Sequence, residues 1–273
     1  MPDEYRRNPD MVLKDKTAVI YGAGGAVGGA VARAFSREGA KLFLTGRNRG
    51  AVETVANEIT SLGGFAESAE VDALNEEAID RHLQSVVDKA GRVEISFNAV
   101  GIRNTTLQGV SLAKLAVDQF VLPIATYTTS YFLTSRLAAR RMAEKKSGVI
   151  MTVTSTPSRI GIPLMGGVGP AMAAVEAITR NLSAEFVSQG IRVVGLRPHG
   201  MPESGTIKEV FDLHAKAWGI SWDQFHDVIA SRTHGRRLST LQEMANVAAF
   251  MASDAASGMT GTIVNLSLGG LDD

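Results

Sequence analysis

The chain has 273 residues, 45% of them hydrophobic, which is enough for a sizeable core, and it carries 28 basic and 28 acidic side chains. A formal charge of zero argues against general binding to nucleic acid or to an anionic membrane, because both favour a basic surface. With no cysteine, disulfide and thiolate chemistry are excluded, and a cytoplasmic setting is expected.

The first residues, 1–11, read as a tail: they are charged, carry Pro2 and Pro9, and lack the apolar stretch of a secretory signal. A first strand then covers Ala18-Val19-Ile20. It runs into Tyr21-Gly22-Ala23-Gly24-Gly25-Ala26-Val27-Gly28, which opens a helix with Val27, Ala30, Val31, Ala34 and Phe35 on one face. Strand, glycine-rich turn and helix in this order point to a dinucleotide site. Glycines allow a tight turn and close approach of backbone N–H groups to a pyrophosphate, and the helix start adds unpaired donors and a positive dipole end.

Strand and helix patterns then alternate. Strands are predicted over Lys41–Thr45, Phe65–Val71, Val93–Asn98, Gly148–Thr154, Ile191–Leu196 and Gly261–Leu266. Helices are predicted over Arg49–Leu62, Asn75–Ala90 (capped at or near Asn75), Leu115–Lys146 (with a possible kink at Pro123), Ala171–Gln189 and Leu241–Ala252. Residues 161–169 read as a glycine-rich loop, and 201–237 is the least regular segment. The stretch Gln119–Ser135 is uncharged but too polar to span a membrane. Alternation of this kind predicts an α/β fold, a parallel sheet with helices on both faces and so three layers deep. Without a repeat, linker or composition break, 1–273 reads as one domain.

The order of these signals resembles the single-domain branch of the short-chain dehydrogenase/reductase family, from about Lys14 to Gly270. Tyr21 to Gly28 is similar to the family's T-G-x-x-x-G-x-G turn. Thr45-Gly46-Arg47-Asn48 resembles the end of the second strand in NADP-using members, and Val71-Asp72 the adenine-contacting aspartate. Asn98-Ala99-Val100-Gly101 resembles N-N-A-G, Arg197-Pro198-His199-Gly200 the later P-G motif, and Thr260-Gly261 the late T-G. The resemblance implies a Rossmann-type, doubly wound parallel sheet in three α/β/α layers and a nicotinamide cofactor contacted by Gly22, Gly24, Gly25, Val27, Gly28, Arg47, Asn48, Asp72, Asn98, Gly101 and Pro198. It also implies a substrate lid at 201–237 and a homo-oligomer, tetramer or dimer; no metal ligands are expected. An acid at the end of the second strand would pair with a ribose hydroxyl and repel a 2′-phosphate. None stands there, and Arg47, whose guanidinium can fork onto a phosphate, is adjacent, so NADP(H) is preferred over NAD(H). The plainer alternatives are a solvated loop cation for Arg47 and a helix cap or turn for Asp72.

The chain departs from the family at the chemistry. The family's Y-x-x-x-K falls on Val168-Gly169-Pro170-Ala171-Met172, and residues 152–187 contain neither Tyr nor Lys. Val168 cannot donate a proton, and Met172 carries no charge. The family's helix Asn falls on Tyr127, and the middle glycine of the turn on Ala26. Ser155 sits at the family's Ser position, and His199 replaces the glycine of P-G. Ser155, His199 and Tyr127 are therefore the candidate catalytic groups. Each has a structural alternative: a strand-end hydroxyl, a hydrogen-bonded loop histidine and a packed tyrosine. Two functions follow. One is an NADP(H)-dependent oxidoreductase with a nonstandard proton donor, acting on a small apolar carbonyl or enone. The other is a non-redox or inactive protein on the same fold: a sensor, a partner subunit, or an isomerase or cyclase. Trp218, Trp222, Phe211, Phe225 and Leu213 in the lid suggest an apolar or aromatic ligand, or simply form the lid's own core.

Overall fold

A computed structural model describes residues 11–272. The tail expected over 1–11 lies, apart from Met11, outside the described residues. Seven strands form one parallel sheet in the order β3-β2-β1-β4-β5-β6-β7. They are β1 (Thr17–Tyr21), β2 (Lys41–Gly46), β3 (Phe65–Glu70), β4 (Ile95–Asn98), β5 (Gly148–Val153), β6 (Ile191–Pro198) and β7 (Ile263–Leu266). The central strands are buried along their whole length, so their apolar runs are continuous rather than alternating: TAVIY in β1 is buried at every position. The edge strand β3 is half-exposed and accordingly carries Glu67 and Glu70.

Helices α1 (Ala26–Arg37), α2 (Arg49–Ser61), α3 (Glu76–Ala90), α4 (Val117–Ala143), α5 (Val168–Phe186) and α8 (Leu241–Ala252) cover the sheet, with α6 (Gly205–Trp218) and α7 (Trp222–Ser231) between β6 and α8. One apolar layer joins Val31, Phe35, Val55, Ile59 and Met251, and Phe35 meets Phe97 edge-on at 6.3 Å. The other joins Ile79, Leu83, Val86, Leu137, Met142 and Leu182. Sequence rules place most boundaries. Asn75 caps α3 by accepting from the Ala78 N–H at 3.0 Å, and the left-handed Gly91 ends it. Capping boxes, Ser221 with Gln224 and Thr240 with Glu243, start α7 and α8.

Helix α5 departs from expectation. It starts at Val168, three residues before the expected Ala171. Pro170 is tolerated because it occupies the first turn, where a missing N–H breaks no helical bond, and the Ala171 N–H already reaches the Gly167 carbonyl at 3.0 Å. Val168 and Met172 therefore share one helix face. Pro123 lies inside α4 without ending it. The irregular segment resolves into α6 and α7, and β6 extends two residues beyond Leu196 through Pro198. Among the described residues no helix is long and apolar enough to cross a membrane, and no three His, Cys, Asp or Glu side chains are placed to hold a metal ion.

Candidate functional site

In a sheet of this order, β1 and β4 are neighbours whose following helices lie on opposite faces, and the crevice beyond their carboxyl ends is the natural binding place. Around that crevice the chain has two differently built halves.

The first half is the turn between β1 and α1. Gly22 has φ +72°, and a Cβ there would stand 2.6 Å from the Ala99 carbonyl oxygen. A Cβ on Gly28 would run into the Gly22 carbonyl, so the turn and the helix start can be this close only with glycine at both positions. Gly24 is exposed and lies against Ala51 at the start of α2. Gly25 is the N-cap of α1 and offers no side chain, so the first-turn N–H groups of Ala26, Val27 and Gly28 lack a partner one turn back. These are features that suit a pyrophosphate: a cradle that a Cβ would fill, and unpaired donors at a helix start. Next to it, Asn48 caps α2 by accepting from the Ala51 N–H at 3.2 Å. Arg47 is exposed, and none of the ion pairs or hydrogen bonds of the described residues uses it, whereas Arg49 is tied to Glu53 at 2.7 Å. Asp72 accepts from the Leu74 N–H at 3.0 Å and so shapes the turn into α3. Gly101 is exposed, with open space where a Cβ would be.

The second half lies beyond β4, β5 and β6. Asn98 is fully engaged: its amide donates to Ser130 and Thr134 of α4 (3.2 and 3.0 Å), and its oxygen accepts from the Val100 N–H at 2.9 Å. The Tyr131 hydroxyl donates to the Val153 carbonyl at 2.8 Å and lies 3.1 Å from that of Asn98, stitching α4 across β4 and β5. Val168 and Met172 are buried with Leu107 and Ala171, and Ile102, Ile124, Met165 and Tyr127 pack against them. Burial raises the Tyr127 hydroxyl above its ordinary pKa, partly offset by hydrogen bonding with the Ile102 backbone. Tyr127 thus sits at the rim of an apolar cluster.

Ser155 ends β5. Its side chain caps nothing, while its carbonyl accepts from the Ser158 N–H at 2.9 Å. His199 follows β6; its Nδ1 accepts from the Gly200 N–H at 2.7 Å, which leaves Nε2 as the proton-bearing nitrogen. Burial, reinforced by Arg232, lowers its pKa, so the ring is neutral at pH 7. Its Cδ2 edge lies against Gly270, with Thr233 alongside. No hydrogen bond joins Ser155, His199 and Tyr127 to one another among the described residues.

Several participants escape sequence reasoning. Glu176 of α5 and Arg197 of β6 are both buried and paired, with Nε to Oε1 at 2.7 Å. The signal was present: an acid in a helix of small residues, and a cation inside an apolar strand. The segment 201–237 is docked by polar side chains. The Asn104 N–H donates to Glu209 at 3.2 Å, Gln108 donates to the Asn104 oxygen at 2.7 Å, and His214 Nε2 reaches Gln108 at 3.3 Å. The aromatics of α6 and α7 pack on one another: Phe211 lies 5.2 Å from Phe225 and 5.8 Å from Trp222, and Trp218 lies 5.3 Å from Phe225. Much of their apolar surface therefore goes to a core of their own, together with Val210 and Ala215.

A family model described as Enoyl-(Acyl carrier protein) reductase matches residues 22–270. An uncharacterized oxidoreductase of Bacillus subtilis (strain 168), YxbG, is 30% identical over 91% of this chain and 88% of its own length. The 7alpha-hydroxysteroid dehydrogenase of Escherichia coli (strain K12) is 28% identical over 96% of each chain. Among solved structures, NAD+-bound xylitol dehydrogenase superposes with a TM-score of 0.87 at 26% identity, covering 95% of this chain and 99% of that one. By sequence and by fold, the chain belongs to the short-chain dehydrogenase/reductase family of oxidoreductases.

Proposed function

We propose that the chain is an NADP(H)-dependent oxidoreductase that reduces or forms a small apolar carbonyl or enone without the family's tyrosine and lysine. The observation that carries this reading is the intact half-site: a glycine cradle too tight for side chains, beside an exposed Arg47 and no acid at the end of β2. Val27 and Gly28 would face the pyrophosphate, Arg47 and Asn48 the 2′-phosphate, Asp72 the adenine, and Asn98, Gly101 and Pro198 the rest of the dinucleotide. The bound cofactor supplies the hydride.

The chain's own groups must then manage the oxygen of the substrate. Ser155, free of a capping bond, is the donor best able to hydrogen-bond that oxygen. His199, neutral with its proton on Nε2, is a second donor for a substrate that reaches it past Gly270. Tyr127 closes the apolar side and excludes water. The apolar cluster at Val168 and Met172, and a relative whose name states a hydroxysteroid, support an apolar substrate. Exposed Val117, Val121, Leu122 and Phe132 on α4 favour a homo-oligomer, and a cytoplasmic location is retained as part of the proposal.

The test is NADPH oxidation by purified protein across a panel of apolar ketones and enones, steroids included. Turnover that Ser155→Ala lowers by about 100-fold or more, as expected for loss of a polarising donor, supports the reading. Turnover unchanged in that variant removes Ser155 from it. The second reading, a non-redox descendant, is favoured by the same burial of Val168 and Met172: the position of the family's acid is filled with hydrocarbon. That reading expects cofactor binding with no oxidation by any compound in the panel.

A further inference from the structure

On the face of α5 that carries Val168 and Met172, the next residue one turn on is Glu176, at 2% exposure. Oε1 accepts from Arg197 Nε of β6 at 2.7 Å, from Thr154 Oγ1 at the end of β5 at 3.3 Å, and from Ser158 Oγ in the short helical turn that follows. Oε2 lies 3.5 Å from Arg197 Nη2 and 3.9 Å from Arg180 Nη1. Thr154 and Ser158 bracket Ser155, and Arg197 immediately precedes Pro198 and His199. The Thr154 N–H also donates to the Leu196 carbonyl at 2.8 Å, so the two strand ends are registered by backbone directly above the carboxylate.

Burying two opposite charges is not a cheap route to stability, since a well-packed apolar pair is often as good or better. An ion pair is directional where an apolar contact is not, so it fixes geometry. Here that geometry belongs to the segments flanking Ser155 and His199. The positions from which the family holds the nicotinamide half are Val168 and Met172, which can form no hydrogen bond.

We propose that Glu176 is the positioning residue of the site: its buried carboxylate grips Thr154, Ser158 and Arg197 and thereby fixes Ser155 and Pro198–His199 against the nicotinamide half of the cofactor. This rests on the reading of the crevice as a dinucleotide site. Glu176 does not touch the reacting atoms; it acts through the two strand ends.

The test titrates wild type and Glu176→Gln with NADPH and with adenosine 2′,5′-bisphosphate, which carries only the half bound by the glycine turn and Arg47. Bound NADPH is read by the emission of its reduced nicotinamide. The expected result in E176Q is unchanged bisphosphate affinity, within about twofold (under about 0.4 kcal/mol), with loss of most of the emission gain that wild type gives NADPH. Retention of the full gain overturns the proposal. So does equal loss of bisphosphate and NADPH binding in an E176Q that is still folded, because a residue that positions only the nicotinamide half leaves the phosphate half bound. If E176Q does not fold, the double variant Thr154→Val with Ser158→Ala keeps both charges and removes the grip on the Ser155 segment, together with the 3.4 Å contact of the Thr154 hydroxyl to the Leu196 carbonyl. It is expected to lose the same emission gain, and a wild-type gain there overturns the proposal. Failure of wild type to bind either compound is a distinct outcome, and it overturns the dinucleotide reading together with this inference.

Discussion

The turn after β1 and the helix α5 face one crevice and are built in opposite ways. At the turn, backbone does the work: Gly22 and Gly28 bring main chain within a distance no side chain permits, and N–H groups are left open at the helix start. At α5, side chains do it: hydrocarbon stands at Val168 and Met172, and a buried carboxylate stands one turn on at Glu176. The difference is that a backbone site survives sequence drift as long as its glycines stay, whereas a side-chain site can be rebuilt residue by residue on the same scaffold. Binding and chemistry in this fold are therefore separable.

The comparison can be broken most forcefully at Glu176. Glu176→Ala sets the buried Arg197 guanidinium opposite a methyl group and is expected to lower stability by about 3–5 kcal/mol, read as a drop in the midpoint of chemical denaturation. On the other side of the crevice, Gly28→Ala drives a methyl into the Gly22 carbonyl. It is expected to cost about 1–3 kcal/mol and to abolish dinucleotide binding in calorimetry, while E176Q leaves the phosphate half bound.

Helix α3, packed on one face of the sheet, carries an acid sensitivity of its own. Burial, helped by Lys89, lowers His82 from its ordinary 6.5 to about 4. The folded state thus resists a proton that the unfolded chain accepts. Stability is full above about pH 6.5 and falls as pH drops toward 4, by up to about 3 kcal/mol. His82→Leu is expected to flatten that part of the stability-against-pH curve; an unchanged slope removes His82 as its source. A smaller effect is expected at Tyr21, whose hydroxyl is buried without a partner among the described residues and whose pKa burial raises. Tyr21→Phe removes an orphaned polar group and is expected to raise stability by about 1 kcal/mol, measured as a higher denaturation midpoint.

The fold was legible in the sequence because period and punctuation are local: the strand runs, Asn75, Gly91 and the glycine turn each announce themselves. The start of α5 was not, because Pro170 looks like a breaker until its place in a first turn is known. At the site, Val168 and Met172 were readable directly as side chains without a proton or a charge to give. The buried pair of Glu176 and Arg197 was not, because the two are 21 positions apart and meet only when α5 packs on β5 and β6. The lid aromatics were readable as apolar, but whether they face a ligand or each other depends on how α6 folds onto α7. Asn104, Gln108 and His214 likewise form a network only across that packing, over a separation of 106 residues between Gln108 and His214.

The central claim, an intact phosphate half beside a rebuilt chemical half, is tested most directly by calorimetric titration of the wild-type chain with NADPH and NADH, repeated with Arg47→Ala. The account predicts tight NADPH binding, NADH binding weaker by at least about tenfold, and loss of that difference in R47A, since a charge-assisted contact to phosphate is worth about 1.5–3 kcal/mol. Equal affinity for the two nucleotides in the wild type, or no binding of either, would contradict it.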